Sequence, residues 1–273
     1  MANPMYRQIA EDLREQIESG RLACGSQLPT ELELRDRHNT SRTTIREAIR
    51  WLTNLGLVET RPGQGTFVVD AIDPFVTTLS GDPRTGFGGG EGTTYLSEVS
   101  AWHRAPTNSP VQVEIQKASG EVAARLRIGE GTELISRHER RFIDNTPYSL
   151  QTSFYPMELV ERGAVQLIRA DNIAQGTVEY LRDTLQIEQV GYRDWLTVRA
   201  PNATEADFFR LPQDGRVPMF EIFRTAFDQN GAPMRLTVTI YAADRNQFIF
   251  YNGQVPVPQY ELGGDGQDSV LVR

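Results

Sequence analysis

The run from Asn39 to Leu52 constrains this chain more than any other stretch. Ser41 is a good helix N-cap, because its hydroxyl can accept from an orphan backbone N–H of the first turn, at Thr43 or Thr44. From Arg42 onward Ile45, Ala48, Ile49, Leu52 and Leu55 recur at three- and four-residue steps and form one apolar stripe. Arg42, Arg46 and Arg50 fall on a different face, with Thr43 beside them. A helix that buries one side and shows threonine and arginines along its N-terminal half suits a DNA major groove. Arginine donates twice to guanine, threonine reaches phosphate or a thymine methyl, and the helix N-terminus favours phosphate. Taken alone, the arginine row fits a solvated basic face equally well.

The flanks decide between these readings. Thr30 and Glu33 read as a capping box that opens a short helix ending near His38 and Asn39, which leaves a tight turn before Ser41. Gly56 stops the second helix, and 57–60 can pair with 66–69. Arg61, Pro62, Gly63, Gln64 and Gly65 between them make a small wing whose glycines allow close backbone approach. Tyr6 to Ser19 is an amphipathic helix with Ile9, Leu13 and Ile17 on one face, ended by Gly20. Helix, turn, arginine helix and wing together point to double-stranded DNA. The candidate contacts are Arg35, Ser41, Arg42, Thr43, Thr44, Arg46, Arg50, Gly63, Gln64 and Gly65. Across 273 residues the net charge is −8, which argues against coating nucleic acid by bulk charge. From Arg35 to Arg61, however, six arginines (35, 37, 42, 46, 50, 61) stand against Asp36, Glu47 and Glu59, a local +3. Phosphate attraction is therefore local, and binding should weaken with salt.

These segments closely resemble the winged helix-turn-helix of GntR-family bacterial transcription regulators. The matching runs are Met5-Tyr-Arg-Gln-Ile-Ala10, Leu28-Pro-Thr-Glu31, Ser41-Arg-Thr-Thr-Ile-Arg-Glu-Ala-Ile49 and Gly63-Gln-Gly-Thr-Phe-Val68. The resemblance implies that Arg42 and Arg46 contact bases and phosphates, and that the tip at Gly63 to Gly65 enters the minor groove. It departs at Leu32, where the family commonly has arginine, and Arg35 is the candidate substitute.

The length allows two domains: residues 1–70 as the head, 71–94 as a Gly/Pro-rich linker, 95–257 as a second domain and 258–273 as a flexible tail. The linker reads as a tether, with a loop that orders on ligand binding as the alternative. Strands are expected at Val111–Lys117, Glu133–Ile143, Tyr148–Tyr155, Val190–Arg199, Met219–Phe227, Met234–Tyr241 and Gln247–Tyr251. Helices are expected at Glu121–Leu126, Gly176–Leu185 and Thr204–Leu211, the last with Thr204 to Asp207 as a capping box. Strand pairs interleaved with helices imply an α+β domain with a mainly antiparallel sheet.

Three strands carry polar residues on one face: Arg137, Glu139 and Arg141; Ser149, Gln151, Ser153 and Tyr155, opposite Tyr148, Leu150 and Phe154; and Arg235, Thr237, Thr239 and Tyr241. Such a face is either solvated, as antiparallel sheets often are, or a site for a small polar or anionic ligand held by arginine forks and hydroxyls. Following a GntR-type head, this region resembles the UTRA effector domain of the HutC subfamily, whose fold is like chorismate lyase. The supporting residues are Arg141, Asp144-Asn-Thr-Pro147, Ser153-Phe-Tyr-Pro156, Ala203-Thr-Glu-Ala206, Arg224 and Asn230-Gly231. The resemblance implies an effector site on these strands, with Arg137, Glu139, Arg141, Gln151, Ser153, Tyr155, Arg235, Thr239 and Tyr241 as candidates. Amino-sugar-phosphate-binding members commonly have arginine where Glu139 stands and acids where Gln151 and Arg235 stand, so a different ligand is implied. The resemblance also implies a homodimer, for which Leu52 and Leu55 offer apolar surface, and a repressor released from an inverted repeat.

Other classes lack support. No nucleophile–base pairing, metal cluster or phosphate loop points to an enzyme, and Gly86-Phe-Gly-Gly-Gly90 lacks the strand-to-helix context of such a loop. Cys24 is the only cysteine, and His38, His103 and His138 show no ligand spacing. No cofactor or metal is therefore expected. With no signal core and no apolar run of about 20 residues, a cytoplasmic protein without a membrane span is expected.

Overall fold

Helix α1 (Met5–Glu18) carries its apolar stripe as Ile9, Ala10 and Leu13, all buried. Helix α2 (Glu31–His38) opens on a complete capping box, in which the Thr30 side chain accepts from the Glu33 N–H and the Glu33 carboxylate accepts from the Thr30 N–H. Asn39 ends it in the left-handed region at φ 44°, a conformation asparagine tolerates better than most residues. The chain then turns into α3 (Arg42–Asn54). Ile45, Ala48, Ile49 and Leu52 pack against α1 to form the core of this unit. Strands β1 (Val58–Arg61) and β2 (Gly65–Val68) pair antiparallel as the wing. Leu52, expected to offer surface to a second copy, is fully buried inside the unit, because it shares the core stripe; Leu55 follows the last turn and stays half exposed.

This computed structural model describes residues 4–69, 74–79, 92–211 and 215–250. Two compact units divide at Asp73 and Pro74. The tail 258–273, the glycine-rich part of the expected linker at 80–91 and the end of the last expected strand lie outside the described residues. The expected linker nevertheless contains regular structure at both ends: β3 (Phe75–Thr78) and α4 (Gly92–Ala101). Strand β3 pairs in parallel with β11 (Asn246–Ile249) at the far end of the chain. Local composition could not reveal that partner.

The second unit is built on a seven-stranded sheet. In chain order its strands are β4 (Pro106–Asn108), β5 (Gln112–Lys117), β6 (Glu133–Ile143), β7 (Thr146–Pro156), β8 (Gln189–Arg199), β9 (Met219–Asp228) and β10 (Pro233–Ala242). The spatial order is β4-β6-β7-β10-β9-β8, with β5 also on β6, and every pairing is antiparallel. The α+β expectation holds.

The central strands of the sheet are covered on both faces. On one side lie α5 (Gly120–Leu126), against Leu134, Phe223 and Leu236, and α8 (Ala203–Phe209), against Met219 and Ile240. On the other, α6 (Glu158–Glu161), the 3-10 turn Val165–Ile168 and α7 (Thr177–Leu185) cover Ile135, Tyr155 and Ala226. At the opposite end of that face Phe75, Leu79, Tyr95 and Val99 cover Ile222 and Tyr241. The α8 capping box starts two residues earlier than expected, at Asn202 with Glu205. The reason is tertiary: Arg199 at the end of β8 grips the Glu205 carboxylate at 2.7 Å on each oxygen, which fixes Glu205 as the reciprocal partner.

Candidate nucleic-acid and effector sites

In the first unit the Ser41 hydroxyl accepts from the Thr44 N–H at 3.1 Å and lies 2.8 Å from the Thr44 hydroxyl, so both side chains are engaged in capping α3. Arg42, Thr43, Arg46 and Arg50 are exposed along it. Arg42 and Arg50 form no ion pair among the described residues, whereas Arg46 is already paired. Its Nε lies 3.0 Å from both oxygens of Glu31 at the start of α2. Arg35 pairs with neighbouring Asp36 at 2.6 Å. The sequence reading did not single out Glu31, whose signal is only its place in the capping segment.

The wing depends on glycine geometry. Gly63 has φ 73° and Gly65 φ 123°, both in the region that disfavours side chains. Gln27 donates from Nε2 to the Gln64 carbonyl at 2.8 Å and so props the tip from outside the hairpin. A Cβ on Gly65 would stand 2.2 Å from that same Nε2. Gln27 is a second residue that local pattern did not reveal.

On the sheet, register brings the expected polar residues together. Arg137, Ser153, Thr237, Arg224 and Asp194 run across the strands in one row; Glu139, Gln151 and Thr239 form the next, and Arg141, Ser149 and Tyr241 the next. The solvated alternative fails, because Arg137, Arg141, Ser149, Gln151, Ser153, Arg224, Arg235, Thr237 and Thr239 are all buried. The covering helices come from distant sequence, so period-two alternation could not reveal them. Four arginines (137, 141, 224, 235) share this face with Glu139 and Asp194.

The partners divide these residues by role. Arg137 donates to the backbone carbonyls of Leu167, Arg169 and Asp171 at 2.9, 2.8 and 2.7 Å, and thereby clamps the 3-10 turn and the loop after it. Arg224 is paired with Asp194 through two bonds of 2.8 and 2.6 Å and stacks over Tyr192 at 3.8 Å. Arg141 lies over the Tyr95 ring at 4.9 Å and reaches Glu139 at 3.3 Å. Burial, partly offset by Arg141, raises the Tyr95 hydroxyl well above its usual range. Arg235 donates to Gln189 at 3.1 Å, and the Ser153 and Thr237 hydroxyls lie 3.2 Å apart.

Tyr155 sits in the apolar cluster beneath α6 and α7, and Tyr241 meets Tyr148 edge-on at 5.4 Å. Tyr148, expected beside Leu150, instead joins Tyr95, Phe75 and Tyr241, because the pairing register shifts between Arg141 and Phe142. At the centre of the layer the Ser149 hydroxyl and the Gln151 carbonyl oxygen are buried with no hydrogen-bond partner among the described residues. Buried polar atoms are almost always satisfied, and these two lie beside Arg141, with the Gln189 Nε2 a further one among the described residues. Among the described residues nothing in the layer pairs a nucleophile with a base.

The chain matches the family model of bacterial regulatory proteins, gntR family, over residues 5–68 and that of the UTRA domain over 102–247. It is 24% identical over 248 residues to the HTH-type transcriptional repressor NagR of Bacillus subtilis, covering 91% of this chain and 94% of the relative. It is likewise 24% identical over 246 residues to the HTH-type transcriptional regulator GgaR of Escherichia coli, covering 90% of each. A solved GntR-family transcriptional regulator superposes with a TM-score of 0.63 at 24% identity, covering 92% of this chain and 98% of the other. PhnF from Mycobacterium smegmatis does so at 0.54 and 21%, covering 90% and 100%; both likenesses concern the fold.

Proposed function

This chain belongs to the GntR family of bacterial regulatory proteins, in the HutC-type group that joins the DNA-binding head to a UTRA domain, and from that premise we propose a homodimeric repressor of an inverted-repeat operator, released by a small polar effector. That it is a transcription regulator with a DNA-binding and an effector-binding domain, and not an enzyme, follows from the family. NagR is named a repressor, which supports the same sense of regulation here.

The observation that carries the effector reading is the buried polar layer. Ser149 and Gln151 offer unsatisfied oxygens beside Arg141. Glu139 and Arg141 face each other within reach, so the ligand meets one donor and one acceptor rather than a bare cationic pocket. This favours a neutral or singly anionic polar molecule with hydroxyl groups. Arg137, held by its carbonyls, serves as scaffold. A C-terminal domain that only dimerises would leave this layer without a purpose that justifies its unsatisfied atoms.

For the dimer, β8 is the terminal strand of the sheet and exposes Val190, Leu196 and Val198 at 58, 41 and 56% on one face. A long apolar edge is a pairing template that proteins normally cover, and a second copy of the chain is the occupant this reading assigns. The test is a gel shift on the protein's own upstream DNA across a salt series, repeated with candidate polar metabolites, together with the solution mass. Salt-sensitive binding of a dimer to an inverted repeat, lost on adding one metabolite, supports the proposal. A monomer bound specifically to DNA, or release by the same metabolite from a Ser149→Ala, Gln151→Ala double variant with unchanged affinity, contradicts it.

A further inference from the structure

A cavity of about 350 Å³ opens on the other face of the sheet, between the C-terminal end of α5 and the β8–β9 edge. It is separate from the polar layer. Along β8 and β9 the side chains alternate, so Arg193 and Thr225 line the cavity while their chain neighbours Asp194 and Arg224 form the ion pair of the polar layer. Its size lies at the lower end of the roughly 300–1,000 Å³ spanned by small-molecule sites.

Its lining has an unusual balance. Three arginines (125, 127, 193) converge on it against a single carboxylate, Glu121, and the other lining residues are uncharged, which leaves +2 in a chain of net charge −8. Arg125 pairs with Glu121 at 3.0 Å and stacks over Phe223 at 4.1 Å; its buried Nε has no hydrogen-bond partner among the described residues. Arg127 and Arg193 make no ion pair among the described residues, and both approach the Phe227 ring, at 5.9 and 5.3 Å. Arg127 is the left-handed C-cap of α5, φ 55°, which fixes its backbone at the cavity mouth. Trp195 forms the remaining wall and is 57% exposed, with the Arg125 guanidinium 5.7 Å from its ring centroid.

Converging guanidiniums repel one another, and ring stacking only partly compensates. An anion between Arg127 and Arg193 would relieve that repulsion with bidentate bonds, while a planar group could lie on Trp195. We propose that this cavity is a second ligand site, for a small molecule that carries a phosphate and one planar ring, of which a mononucleotide is the simplest example. The site is independent of the effector layer and would let the sheet respond to two molecules.

The test uses the full chain with adenosine 5′-monophosphate, followed by calorimetry and tryptophan fluorescence. Saturable binding is expected, with a change in emission that disappears in Trp195→Phe. Arg127→Ala and Arg193→Ala, both exposed positions, should each weaken it about tenfold or more, the scale of a lost charge-assisted contact, with unchanged thermal melting. Ser149→Ala should leave it unchanged. The proposal is overturned if no saturable binding is found, if inorganic phosphate binds as tightly as the nucleotide, or if the arginine variants bind like the parent. It is also overturned if Ser149→Ala abolishes binding, which would place the nucleotide in the polar layer.

Discussion

Tyr192 on β8 donates its hydroxyl to the carbonyl of Leu79 at 2.7 Å, and Arg224 reaches the same carbonyl at 3.5 Å. Leu79 directly follows β3, the first described strand after the head. The segment entering the second unit is thus latched to the residues that form the polar layer. A ligand there that disturbs Arg224 or Tyr192 would act directly on this strand.

Tyr192→Phe should open the latch without emptying the core. One lost buried hydrogen bond costs about 1 kcal/mol. The specific expectation is faster amide exchange across residues 75–79, with little change in the central strands. Equal protection in parent and variant would show that the latch does not hold β3.

Arg42→Ala should cost DNA affinity on the order of 1–3 kcal/mol, as for a lost bidentate base contact, with no change in melting temperature. Arg46→Ala and Glu31→Gln test whether the ion pair orients Arg46 for DNA. If it does, both weaken binding; if Glu31→Gln binds more tightly, the pair competes with DNA instead.

Gly65→Val cannot report on groove entry, because φ 123° and the nearby Gln27 amide make it damage the wing itself. Gln64→Ala is the cleaner probe, since the Gln27 bond uses only the backbone carbonyl of residue 64. Reduced affinity with unaltered melting is expected; unchanged affinity would exclude a side-chain contact from the wing tip.

Arg137→Ala should destabilise the second unit by about 1.5–3 kcal/mol, the range for hydrogen bonds to a charged group, because several carbonyls lose their donor together. Ser149→Ala should be neutral or mildly stabilising in a urea melt, since it removes an unsatisfied buried hydroxyl. The reverse ranking would mean that Arg137 is not the clamp.

Glu98 on α4 accepts from the Thr78 N–H at 2.9 Å, and burial raises its carboxyl above the usual range. A group whose pKa rises on folding adds stability below its unfolded pKa, and this is lost as pH climbs through the folded value. Glu98→Gln, which can keep the Thr78 bond, should therefore melt higher than the parent at pH 7. The difference should vanish as pH falls through the ordinary carboxylate range; a constant difference would mean that Glu98 is not the titrating group.

What the sequence determined by itself was local. The Thr30 and Ser41 caps, the α3 stripe and the wing glycines are set by residues within a few positions of one another, where steric and hydrogen-bonding preferences act without help. Alternation likewise showed which residues of β6, β7 and β10 share a face. Only the tertiary structure decided what lies over that face, because helices from residues 158–185 and strands from both ends of the unit close it. The same long-range packing turned Arg137 into a clamp, paired Arg46 with Glu31, moved the α8 capping box to Glu205 and drew β3 out of the expected linker. Each of these depends on a partner outside the residue's own element, and a side chain's role follows from which polar groups share its space, something spacing along the chain does not encode.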